Sequence, residues 1–120
     1  MRYTIERCAG YLRAEMVERD SAEETKQFVV AILAELRKGE TTRVLISTRK
    51  SRPVYKVESW DLSAALEELM PLKDRLRVAF ISDSRELALS QEYIELIARQ
   101  RGLAFRTFAS EKAAVEWLSE

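Results

Sequence analysis

The chain has no histidine, one cysteine, two prolines and three glycines in 120 residues. Without histidine, neither a Ser-His-Asp nor a Cys-His centre has its usual general base. A zinc site would lack its commonest nitrogen ligand, and one thiol does not replace four. The lone Cys8 cannot close a disulfide within the chain. With no signal peptide legible at the amino terminus, it points to a reducing cytoplasm. Two of the glycines are accounted for by local structure. Gly39 and Gly102 follow Arg37-Lys38 and Arg99-Gln100-Arg101, the pattern of a glycine just past a helix end with cations in its last turn. Gly10 separates two strand-like runs, so no glycine remains to cradle a phosphate, and neither a Walker A loop nor G-x-G-x-x-G is present. No apolar run approaches the roughly 20 residues of a membrane-spanning helix. Twenty basic residues balance twenty acidic ones, which disfavours a nucleic-acid module. No cofactor or metal is expected.

What is present reads as one domain over residues 1–120, with 47% hydrophobic residues to build a core. Tyr3–Cys8 and Tyr11–Glu18 are short runs, and in the second Leu12, Ala14 and Met16 alternate with Arg13 and Glu15. This period of two predicts an antiparallel hairpin at a sheet edge. Ser21 with Glu24 forms a capping box before a helix carrying Phe28, Val29, Ile32, Leu33 and Leu36. Val44–Ile46 reads as a central strand running into Ser47 and Thr48. A second helix starts near Ser59 or Asp61, carries Leu62, Leu66, Leu69 and Met70, and stops at Pro71. Val78–Ile81 is a second buried strand, and Asp83 with Glu86 opens a third helix. That helix bears two apolar stripes, Leu87, Ile94, Ile97 and Ala98, then Leu89, Tyr93 and Leu96, which suggest two neighbours. Leu103–Phe108 is a third inner strand, and Ser110 caps a last helix with Ala113, Ala114, Trp117 and Leu118 inward. The order ββαβαβαβα predicts an α/β fold: a single mixed, mostly parallel sheet with an antiparallel N-terminal hairpin.

In an open α/β sheet, ligands bind beyond the carboxyl ends of the strands. Those ends are Ser47-Thr48-Arg49, Ser82-Asp83-Ser84 and Phe108-Ala109-Ser110, where serine and aspartate first serve as helix N-caps. Between Thr41 and Val57 stand Arg43, Arg49, Lys50, Arg52 and Lys56 with no acid, joined by Tyr55 and nearby Trp60. Such a stretch can grip an anion, or form a solvated loop balanced by the acidic residues of the second helix. A receiver domain is set aside, because the central strand ends in Ser47-Thr48 where an aspartate is needed. An enzyme would have to rely on Asp61 and Asp83 with Mg²⁺.

The hairpin-then-βα pattern, the segment Val57-Glu58-Ser59-Trp60-Asp61-Leu62-Ser63-Ala64-Ala65-Leu66, the strand Leu76–Ser82 with Asp83, and the ending Phe108-x5-Ala114-x2-Trp117-Leu118 resemble the SpoIIAA-like proteins. These are small bacterial relatives of the STAS domain, also grouped with the lipid-binding SEC14 fold. The resemblance spans the chain. It implies a non-enzymatic, regulatory module that binds an apolar, amphipathic or lipid-like ligand between the second and third helices and the sheet. Leu62, Leu66, Leu69, Leu89 and Tyr93 would line that groove, Tyr55 and Trp60 of the adjoining loop would add aromatic contacts, and Arg49 and Arg52 would meet a negative head group. The alternative is a protein–protein regulator like the anti-sigma-factor antagonists. Their Asp-Ser-Ser/Thr-Gly site is not matched, since Ser47-Thr48-Arg49-Lys50 stands in its place. A homodimer through Leu89, Tyr93 and Leu96 is a further expectation.

Overall fold

The computed structural model describes residues 1–51 and 62–120. Ten described elements follow the expected order. They are β1 (Arg2–Cys8), β2 (Tyr11–Val17), α1 (Ala22–Arg37), β3 (Arg43–Arg49), α2 (Leu62–Leu69), a 3₁₀ turn (Met70–Leu72), β4 (Arg77–Ser82), α3 (Arg85–Gln100), β5 (Ala104–Thr107) and α4 (Glu111–Leu118). The strands lie side by side in sequence order, β1-β2-β3-β4-β5. β1 pairs antiparallel with β2, and every later neighbour is parallel.

This strand order dictates where the helices go. Each crossover from β2 to β5 steps one strand in the same direction, and crossovers of one hand then lay α1, α2 and α3 on one face of the sheet. That face is apolar: Leu12, Ala14, Met16, Val44, Val78, Phe80 and Phe105 meet Phe28, Ile32, Leu33, Leu36, Leu62, Leu66, Leu69 and Ala98. α4 follows the last strand with no further strand to reach, and it turns back over the opposite face. There Ala114 and Leu118 bury Leu45, Ala79 and Ile81.

Local signals set the element ends. The β1–β2 turn is Ala9-Gly10, and Gly10 holds φ at 86°, a conformation that is cheap only without a Cβ. Ser21, Ser84 and Ser110 cap α1, α3 and α4 by accepting from the N–H three residues on. Two expectations shift in detail. Glu24 closes its capping box on the Asp20 N–H at 2.8 Å. Asp83 does not cap α3; its Oδ2 accepts from the Lys50 N–H at 3.0 Å, and Ser84 takes the cap. A larger correction concerns the strand read from Leu103–Phe108 as an inner one. β5 is an edge strand, because α4 follows it instead of a further βα unit. Its apolar character reflects helix cover on one face, which sequence cannot distinguish from a neighbour on each side. The start of α2 near Ser59 or Asp61 lies outside the described residues.

Candidate functional site

Between the apolar sheet face and α1–α3 lies a cavity of about 100 Å³, walled mainly by apolar side chains, among them Phe28, Ile46, Leu66, Phe80, Ile94 and Phe105. The period of two on β2–β5 and the 3.6-residue period on the helices bring these walls together. The cavity becomes polar towards the carboxyl ends of β2, β3 and β4, where Arg19, Thr25, Thr48, Ser90 and Gln91 join its lining.

Two of these polar groups are positioned by backbone. After β2, the Glu18 N–H donates to the Arg49 carbonyl at 3.1 Å, and the Arg19 N–H donates to Ser51 Oγ at 2.9 Å. The chain leaving β2 is thereby tied to the chain leaving β3, and the Arg19 side chain is buried with Nη1 donating to Thr25 Oγ1 at 3.3 Å. Burial pulls the Arg19 pKa down, against the opposing charge of Glu24. On α3, Gln91 is 5% exposed and its Nε2 donates to the Ile81 carbonyl at 3.0 Å. A backbone carbonyl can only accept, so this bond fixes which way the amide faces. The Gln91 Oε1 therefore points away from β4, and among the described residues it has no hydrogen-bond partner. Sequence reading pointed to Thr48 only as part of a strand end and missed Gln91 and Arg19. A lone glutamine between two apolar stripes carries no signal until the third helix is docked.

The expected ligand-binding residues divide into four groups. Leu62 and Leu66 line the cavity. Leu89 and Tyr93 do not: they face outward with Leu96, at 47, 48 and 56% exposure. Arg49 is on the other face of the sheet from the cavity, because alternation along β3 sends Val44, Ile46 and Thr48 to one side and Leu45, Ser47 and Arg49 to the other. Arg52, Tyr55 and Trp60 lie outside the described residues, as does Asp61.

On that second face, the part beside α4 carries a charged cluster. Arg49 binds both oxygens of Glu15, Ser47 Oγ donates to Glu15 at 3.1 Å, and Arg13 bridges Glu15 to Glu111 at the start of α4. Burial alone would raise the Glu15 pKa, but hydrogen bonds from Arg49 and Ser47 and the charge of Arg13 outweigh it and hold the carboxyl below its ordinary value. Hydrogen bonding to Arg13 does the same for Glu111. Each acid here has a cation, so the cluster ties β2, β3 and α4 together. Among the described residues no group of three or more Cys, Asp or Glu side chains is placed to hold a metal ion, and no helix is long and apolar enough to cross a membrane.

No protein-family model matches the chain, and no curated protein matches it. Among solved structures it is similar to an uncharacterised protein of the DUF3478 family with a SpoIIAA-like fold from Shewanella loihica PV-4. The two share 20% sequence identity and superpose with a TM-score of 0.62, over 98% of this chain and 92% of that one. At this identity the likeness speaks for architecture: the hairpin-led mixed sheet, with three helices on one face and one on the other, is a SpoIIAA-like fold.

Proposed function

We propose that this chain is a non-enzymatic STAS-like module that holds a small, mostly apolar ligand between α1, α2, α3 and the sheet. The observation that carries this reading is the Gln91 Oε1, a buried acceptor without a partner among the described residues, in the wall of a mostly apolar cavity. An unmade hydrogen bond at a buried acceptor costs about 1–3 kcal/mol, and a ligand that donates there recovers it. Size narrows the ligand further. A dry cavity of about 150 Å³ takes one benzene, so about 100 Å³ holds at most a single ring or a short alkyl chain and not a full acyl chain. The expected ligand is an apolar body of that size bearing one hydroxyl, amide or protonated acid. A cytoplasmic setting, in which Cys8 stays reduced, belongs to the same reading.

Phenol and toluene test it, because they differ by one donor. Protein-observed NMR should show phenol shifting Gln91, Leu66 and Phe80 resonances, with toluene binding about tenfold more weakly. The near-isosteric Gln91→Met should remove that preference. No shift from either probe would overturn the assignment.

A protein–protein regulatory role is the second reading, favoured by the exposed stripe Leu89, Tyr93 and Leu96 on α3. A stoichiometric partner kept by the wild type and lost by Leu89→Ser with Tyr93→Ser would move the assignment there.

A further inference from the structure

We propose that the free edge of β1 pairs with β1 of a second copy of this chain, antiparallel about a two-fold axis at Thr4, to join the two sheets into one. The two edges of the sheet are treated differently. On β5 the Phe108 N–H donates inward to Phe80, so Phe105 and Thr107 direct theirs outward. Both outward donors are taken within the chain. The Phe105 N–H bonds the Leu103 carbonyl at 3.2 Å, and the Thr107 N–H bonds Glu95 Oε1 at 2.6 Å. That edge is closed to a further strand.

β1 is seven residues long. The Glu18 N–H bonds to β3, so even-numbered β2 residues face β3 and odd-numbered ones face β1. Tyr11, Arg13, Glu15 and Val17 thus share hydrogen bonds with Cys8, Glu6, Thr4 and Arg2. Tyr3, Ile5 and Arg7 turn their peptide groups outward, and no hydrogen bond from those N–H groups is formed among the described residues.

An edge strand with this row open is a template for another strand, and the side chains select which one. With Thr4 opposite its own copy, Tyr3 faces the second copy's Ile5 in a hydrogen-bonded pair. Arg2 faces the second copy's Glu6 in the closer non-hydrogen-bonded pair. Aromatic with β-branched, threonine with threonine and opposite charges are the favourable cross-strand pairs. Sliding by two residues to centre on Ile5 keeps the backbone pattern but sets Thr4 against Glu6 and Tyr3 against Arg7, and loses the charge match. Within one protomer Glu6 forms no ion pair among the described residues, whereas Arg2 has only the exposed Glu18. Tyr3, 44% exposed, gains cover.

Sedimentation velocity of the full chain, with circular dichroism to confirm folding, tests the proposal. A species of about twice the 13.9 kDa chain mass is expected. Glu6→Arg should weaken it at least tenfold by opposing two arginines, and Arg2→Glu combined with Glu6→Arg should restore it. In a Cys8→Ser background, Thr4→Cys should form an interchain disulfide on mild oxidation, because non-hydrogen-bonded partners sit about 4.5 Å apart at Cα. A chain that stays monomeric at millimolar concentration overturns the proposal. So does a dimer indifferent to the charge reversals and unable to cross-link through position 4, which would place the contact elsewhere, as on the α3 stripe.

Discussion

Arg49 on β3 grips Glu15 on β2 with two hydrogen bonds, Nε at 3.1 Å and Nη2 at 3.0 Å, across the parallel strand pair on the α4 side of the sheet. This two-pronged contact satisfies a carboxylate that Ser47 and Arg13 also reach. An arginine that sequence places beside a ligand's head group is thus employed in holding two strands together.

A pH dependence follows from the Glu15 carboxyl. Its pKa in the folded chain lies below the ordinary 4.5, so its stabilisation is fully present above that value. It is lost as pH falls through the lowered folded pKa. Glu15→Gln should cost about 1–2 kcal/mol at pH 7, and the gap between variant and wild type should narrow as the solution is acidified. Urea unfolding at pH 7, 4.5 and 3 measures it; a gap that is constant with pH would assign the loss to packing.

Leu66 is 1% exposed at the centre of the helix-covered face. Leu66→Ala should destabilise by about 3–5 kcal/mol, since the lost contacts add to an already imperfectly filled space. The same change enlarges the cavity, so a ring larger than phenol, such as indole, should bind the variant better than the wild type. Chemical denaturation and a titration of the folded variant read the two effects separately.

Ser84 caps α3 through a 3.2 Å bond to the Leu87 N–H. Ser84→Ala should cost about 1 kcal/mol, and Ser84→Asp should be close to neutral. Asp83→Ala should not imitate Ser84→Ala, because Asp83 holds the Lys50 N–H instead of the helix. Hydrogen exchange separates them: the first change should speed exchange at Leu87, the second at Lys50.

Glu95 guards the β5 edge by accepting the Thr107 N–H at 2.6 Å. Glu95→Ala should cost about 1–2 kcal/mol and leave a strand donor open to other chains. Light scattering during prolonged incubation should rise for Glu95→Ala and not for Glu92→Ala, whose side chain does not hold that amide.

Much of the fold was legible because its signals are local. The alternation Leu12, Ala14, Met16 is enough to specify a strand with one buried face, and Ser21 and Ser110 announce helices from three residues away. The candidate site was legible only in part. Leu62 and Leu66 belong to a stripe that any packed helix buries, so their burial needed no tertiary knowledge. Leu89 and Tyr93 belong to an equally periodic stripe that faces water, and periodicity does not say which of two stripes meets the sheet.

By itself, the sequence determined the element order, the hairpin and the caps of α1 and α4, since each depends on residues within a few positions of one another. Tertiary structure alone decided that β5 is an edge, that Arg49 and the cavity lie on opposite faces, and that Gln91 joins the cavity wall with an oxygen unpaired among the described residues. Those outcomes depend on which strands become neighbours and which way a docked helix is rotated, and both are set by packing between residues distant in the chain.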